Sequence, residues 1–415
     1  MKKILFAFVL FALISCQIRE PEIAEWRGKD RTGIYPDTGL LKEWPEEGPA
    51  EILVIENIGN GFGSPVFIED QFFVTGEIDS MARLFCYNLK GEKIWQSTPG
   101  KEWMKSYSGG RDAPTVVGDL IYMGTGLGDL YCISRADGKT VWSRKLKKDF
   151  KGVLPYHGFT NAPIVVGEKV YWTPGGKEHN IVALNRHTGE LIWTNPAFGE
   201  PQGYNSPKLI SLAERDIIVT FSAYHLLGFD AETGELLWEH EQDNLAPDQR
   251  KPGYGDTHSN TVVYENGMIY YVAGDGNCGV KLELAKDGSS IKEVWRNRDF
   301  DGYMGGIVKL GDHLYGGCTA KPELRSVNTK TGETSDSLRL GPGTIIAADS
   351  MIYYYSQKGE MNLISYIDGK MNKVSSFKIN KGSKQHFSHP VIYKGILYLR
   401  RGNTLMGFDI RKQQI

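Results

Sequence analysis

A short phrase recurs along this chain, and its spacing restricts the fold more than any other feature. It reads CYNLKGEKIW ending at Trp95, CISRADGKTVW at Trp142, ALNRHTGELIW at Trp193, GFDAETGELLW at Trp238 and LELAKDGSSIKEVW at Trp295. The tryptophan steps are 47, 51, 45 and 57 residues. Two worn copies follow around Gly332 and Gly369, and a partial one, MGFDIRKQQI, runs to Ile415. A period in the forties built from alternating apolar strands is the length of one four-stranded propeller blade. A second marker precedes each copy: an apolar strand, a polar turn and another apolar strand, as in SPVFIEDQFFVTG from Ser64, APTVVGDLIYMG from Ala113, APIVVGEKVYWTPGG from Ala162 and SPKLISLAERDIIVTF from Ser206. Weaker versions begin at Thr261, Gly306, Thr344 and His389. Counting these markers predicts an all-β, eight-bladed propeller of four-stranded antiparallel blades.

Glycine in the D/N-x-x-T-G turns supplies the positive φ that a tight hairpin needs, and the tryptophan after it is expected to bury its ring against the neighbouring blade. The last copy ends without an outer strand. Ile52 to Ile55 is expected to supply it, joining the two termini and removing an open sheet edge. TPGGKEHN, from Thr173, reads as a hairpin turn between blade strands, and the basic run Lys145 to Lys151 as a solvated loop between blades.

Charge narrows the function. Lys and Arg number 48 against 50 Asp and Glu, a net charge of −2, which lacks the basic footprint of a nucleic-acid binder. At the start, Met1-Lys2-Lys3 precedes an apolar run from Ile4 to Ile14. Eleven apolar residues fall short of the roughly 20 that span a bilayer, so the segment reads as a signal peptide. It ends in Leu13-Ile14-Ser15-Cys16, which resembles the bacterial lipobox and implies acylation of Cys16. Gln17 follows where an aspartate would favour inner-membrane retention, so an outer-membrane lipoprotein is expected, its facing left open. The divisions expected are a signal peptide at 1–15, a tether and lead-in at 16–47, and the propeller at 48–415.

The repeat A-x-D-x-x-T-G-x-x-x-W resembles the tryptophan-docking repeat of the pyrroloquinoline-quinone-like β-propeller superfamily. The opening WRGKDRTGIYPDTGLLKEWPEEGP, from Trp26, is similar to the lead-in of its bacterial lipoprotein and secreted members. Together these cover about residues 26 to 415. The superfamily includes quinoprotein dehydrogenases and the barrel-assembly lipoprotein, so the resemblance implies a fold and leaves the activity open. It implies that an active quinoprotein dehydrogenase would carry adjacent cysteines and a set of calcium ligands. This chain has no adjacent cysteines, and neither the quinone with calcium nor any other cofactor or metal is expected. Cys86 and Cys132 read as small core residues, while Cys278 and Cys318 are left open between a disulfide, a soft-metal site with His258 or Met304, and free thiols.

The stretches before each first strand would converge on one rim. They contain Tyr107, Arg111, Asp112, Tyr156, His157, Asn161, Tyr204, Asn205, Asp256, His258, Asn260, Tyr303, His386 and His389. Each polar residue is open between satisfying loop backbone and binding a ligand. As a site, Asp112, Asn161, Tyr204, Asn205, Asp256, Asn260, Tyr303 and His389 would bind. Tyr107, Arg111, His157 and His258 would be the catalytic candidates, with Arg neutralising a uronate and His or Tyr moving protons in a β-elimination. The first expectation is nonetheless a non-catalytic, monomeric binding or scaffold protein holding an envelope protein or glycan, with the membrane contacted only through the lipid. A uronate lyase is the alternative, and a quinone-dependent dehydrogenase comes third.

Overall fold

The computed structural model describes residues 21–242, 246–274 and 278–412, so Cys16 and the signal segment lie outside the described residues. Eight four-stranded antiparallel sheets follow one another around an axis. They span residues 66–97, 115–144, 164–195, 208–241, 263–297, 307–338 and 343–378, blades 1 to 7, while blade 8 joins 391–409 to 50–55. The first strand of blade 2 neighbours those of blades 1 and 3, and that of blade 6 those of blades 5 and 7, so first strands ring the axis. Ala50–Ile55 pairs antiparallel with Thr404–Asp409, from Ala50 opposite Asp409 to Ile55 opposite Leu405. The outer strand of the last blade therefore comes from the N-terminal side, as the missing strand in the last repeat implied.

The core is a ring of interfaces. Seven apolar clusters lie between neighbouring blades, the largest joining blades 7, 8 and 1. The repeated tryptophans clasp those interfaces from outside. Each indole nitrogen of Trp95, Trp142, Trp193 and Trp295 donates to a carbonyl of the next blade, on Arg135, Arg186, Ala231 and Thr329, at 2.9–3.1 Å. Trp238 departs from the pattern, its ring lying against Gly228 of its own blade.

Two local expectations change. The run Lys145 to Lys151 contains a short helix, Leu146–Phe150, because Leu146 and Phe150 bury one side of it beneath the lysines. Among the described residues no disulfide forms: Cys86, Cys132, Cys278 and Cys318 are all buried thiols. A disulfide between Cys278 and Cys318 is ruled out by position, since Cys278 packs between blades 4 and 5 and Cys318 between blades 5 and 6. The stretch after Thr173 is the hairpin connection expected, between Lys169–Trp172 and Ile181–Asn185.

The lead-in is built into the propeller. Ile23–Ala24 pairs antiparallel with the first strand of blade 2, Ile23 opposite Val117. Ile34–Tyr35 pairs parallel with the first strand of blade 7, Ile34 opposite Ala347. Residues 23–35 thus run along the axis toward one face and turn back. At that turn the buried Arg27 donates to the Ile307 carbonyl at 2.7 Å, and the buried Arg31 to those of Ala162, Pro163 and Pro207 at 2.7–3.1 Å. Arg31 also pairs with Glu25 at 2.7 Å. Burial lowers the Arg27 pKa to about 10. The two guanidinium groups satisfy strand-end carbonyls that a bare channel would leave to water.

Candidate functional site

On the face where residues 23–35, a plug along the axis, turn back, the segments entering the first strands surround a cavity of about 390 Å3. Trp26 and His389 contribute to its lining, their rings edge to face at 4.9 Å. Aromatic and thioether walls come from Phe62, Tyr107, Tyr204, Tyr303, Met304 and Phe387. Ser64, Thr160, Ser206, Thr257, Ser259 and Thr319 supply hydroxyls, and among the described residues no Asp or Glu lines it.

The four catalytic candidates divide. Tyr107, Arg111 and His157 all line the cavity. The Tyr107 ring is half exposed and meets His157 at 5.7 Å and Phe387 at 5.8 Å. His157 places Nδ1 3.0 Å from the Ser106 hydroxyl and donates its main-chain N–H to the Tyr204 hydroxyl at 2.9 Å. Burial and the Arg111 charge lower its pKa. Arg111 donates to the carbonyls of His157, Ser106 and Tyr107, with its guanidinium 6.0 Å from the centre of the Trp103 ring, and burial lowers its pKa to about 10. Its charge therefore fastens the cavity wall.

His258 is elsewhere. It is fully buried behind the rim, its Nε2 donating to the Ala223 carbonyl at 3.0 Å, and burial depresses its pKa to about 4. The proposed quartet does not assemble around one substrate position.

Among the binding candidates, Tyr204, Tyr303 and His389 line the cavity, whereas Asp112, Asn161, Asn205, Asp256 and Asn260 are buried away from it. The asparagines and Asp256 serve neighbouring backbone and side chains, across a blade junction for Asn161 and Asn260 and within the loop for Asn205 and Asp256. Asn260 donates to the carbonyls of Val272 and Gly302 and accepts from Gly306 N–H at 2.7 Å. Asn161 donates to Thr173 and Gln202, Asn205 donates to the Ser206 carbonyl, and Asp256 accepts from Gly253 N–H. Asp112 sits at the register position of these three asparagines, yet both its oxygens are buried without a hydrogen-bond partner. Burial, with Glu102 adding to it, holds its carboxyl well above the usual range. His386 lies against Gly359 and faces the Tyr355 hydroxyl. Among the described residues no group of three or more His, Cys, Asp or Glu is placed to hold a metal ion.

Sequence reasoning missed Trp26, Phe62 and Phe387, and weighed Met304 only as a soft-metal ligand. Phe62 and Phe387 belong to the same pre-strand segments as the residues chosen, but they look like core positions. Trp26 carried one signal, an indole followed by two arginines in a segment otherwise read as a tether.

Comparison with known proteins agrees with the architecture. A crystal structure of BamB from Moraxella catarrhalis superposes with a TM-score of 0.65 at 13% identity, covering 87% of this chain and 99% of that one. A quinohemoprotein alcohol dehydrogenase from Comamonas testosteroni gives 0.66 at 13% identity, covering 93% and 80%. In sequence, an uncharacterised protein of Rickettsia prowazekii is 24% identical over 79% of this chain and 86% of its own length. A quinoprotein alcohol dehydrogenase of Pseudomonas putida is 26% identical, but over only 34% of this chain and 24% of its own length. The family model described as outer membrane protein assembly factor BamB matches residues 80–338. Five of the eight blades, with part of a sixth, fall inside that match, and the chain belongs to this family of pyrroloquinoline-quinone-like propellers.

Proposed function

We propose that this protein is a non-catalytic, lipid-anchored scaffold of the bacterial envelope, and that its funnel seats an uncharged, largely apolar side chain of a partner protein. The observation that carries the reading is the state of the charged groups at the funnel. Arg111 is spent on three carbonyls of its own wall, His157 is biased toward its neutral form, and no carboxylate of the described residues lines the cavity. A neutral aromatic pocket favours apolar surface and penalises an unpaired charge. Family membership supports a role in assembly, and the lipobox-like end at Cys16 supports the anchor.

The other readings fit these residues less well. A uronate lyase needs a cation facing the substrate carboxylate and a proton-transfer group beside it, but Arg111 is committed and His258 lies behind the rim. A quinone with calcium fits poorly: the chain has no adjacent cysteines, no acidic residue among those described lines the cavity, and the axis below is filled by residues 23–35.

The test is a binding panel on the mature protein: blocked pentapeptides with a central Trp, Leu, Lys or Asp, neutral and uronic oligosaccharides, and the quinone with calcium. The Trp and Leu peptides should bind, and Ser259→Trp, which fills the cavity, should abolish binding. Cleavage of a uronic oligosaccharide, or stabilisation by the quinone with calcium, would sink the proposal.

A further inference from the structure

We infer that the propeller is held with its funnel turned away from the membrane, the opposite face lying against the bilayer. The inference rests on acylation at Cys16, proposed above, and on the path of the lead-in. The cavity lies at the beginnings of the first strands, where Ala113 lines it. The same strand in blade 2, Thr115–Val117, ends at the other face. There Gly118 N–H donates to the Glu22 carbonyl at 3.2 Å, and Pro21 packs on Gly118. Pairing of Ile23 with Val117 and of Ala24 with Val116 carries the chain from that mouth up the axis to Trp26 at the cavity. Whatever precedes residue 21 therefore leaves the molecule at the centre of the far face.

Chain length does the rest. Cys16 is five residues before Pro21, and five fully extended residues reach at most about 18 Å. To bring the lipid to the funnel face, the segment would first cross four strand spacings from the lead-in to the outer strand of blade 2, about 19 Å, and then climb a strand of five or more residues, about 17 Å. The crossing alone matches or exceeds the reach, and the sum of roughly 36 Å is twice it. The lipid can lie only beneath the far face, and a partner of the funnel must approach from the aqueous side or extend well clear of the bilayer.

The test uses the full acylated chain in vesicles carrying a headgroup energy-transfer acceptor. One donor dye is placed at Asp137→Cys, in a turn on the far face, and another at Lys358→Cys, in an exposed turn on the funnel face. The Asp137 site should transfer several-fold more strongly. Inserting about 40 Gly/Ser residues after Arg19 should abolish the difference, because the tether would then reach either face. Equal transfer without the insertion, or stronger transfer from the Lys358 site, overturns the orientation while leaving the anchor intact. Vesicle flotation with Cys16→Ser as the control reads the anchor separately. If the unsubstituted chain does not float, the anchor fails and the orientation falls with it.

Discussion

Trp95 lies over Gly138 of the next blade so closely that a Cβ on that glycine would come within 2.6 Å of the indole. The glycine also holds φ of +71°. Contact and backbone conformation thus select the same residue, and Gly189 beneath Trp142 and Gly332 beneath Trp295 repeat the arrangement. Gly138→Ala should cost about 2–3 kcal/mol through combined overpacking and strain. Gly167, with φ of +54° and open space where a Cβ would go, should lose only about 1 kcal/mol on the same change. Urea unfolding of the two variants side by side separates contact from strain.

Arg31 should matter more than its position in a lead-in suggests. Arg31→Leu removes donors from three buried carbonyls and strands Glu25, and should cost about 3–5 kcal/mol. Glu25→Gln keeps the arginine's carbonyl contacts and should cost about 1 kcal/mol. Equal unfolding midpoints for Arg31→Leu and the unsubstituted protein would show that the plug adds nothing to stability.

Asp112 predicts a pH dependence with a definite sign. Its folded pKa lies above the unfolded value of about 3.9, so its stabilising effect is complete below about pH 4 and is lost as pH rises through the folded pKa. Asp112→Asn supplies a neutral donor at the position where Asn161 and Asn260 already work. The variant should match the parent near pH 4 and exceed it by about 2 kcal/mol at pH 7.5. Denaturant titrations at both values check this, and parallel curves for the two proteins would refute it.

The buried thiols predict kinetic silence. Burial pushes Cys86, Cys132 and Cys318 up to about 12, and the thiolate is the reactive form. A thiol reagent at pH 8 should find none of the four internal cysteines in the native protein and all four in denaturant. Rapid native labelling of any one would mean that its blade interface opens.

What the sequence disclosed was whatever repeats. Trp95, Trp142, Trp193 and Trp295 each make the same contact one blade on, so periodicity alone located the blades, and the strand missing after the last copy pointed to Ile52–Ile55. Residues that act once left no such trace. Arg27 and Arg31 are matched to carbonyls 131 to 280 positions away, and nothing local marks a segment that pairs with inner strand edges. At the site, His157 and His258 stand in similar pre-strand loops, yet one lines the cavity and the other packs near Phe221 at 5.5 Å. The direction a loop side chain takes depends on its tertiary neighbours. Asn161 and Asn260 looked like rim ligands because polar loop residues serve backbone and ligand alike.

The seam in blade 8 sets a schedule. Its outer strand, residues 50–55, is made about 350 residues before its partner, residues 404–409. Through the intervening 350 or so positions the growing chain can form only an open crescent, with one ladder lacking its mate and the largest apolar cluster lacking a wall. Removing the final dozen residues would therefore do more than shorten the chain: it would leave the crescent without a clasp, and its free edge open to the next copy emerging beside it.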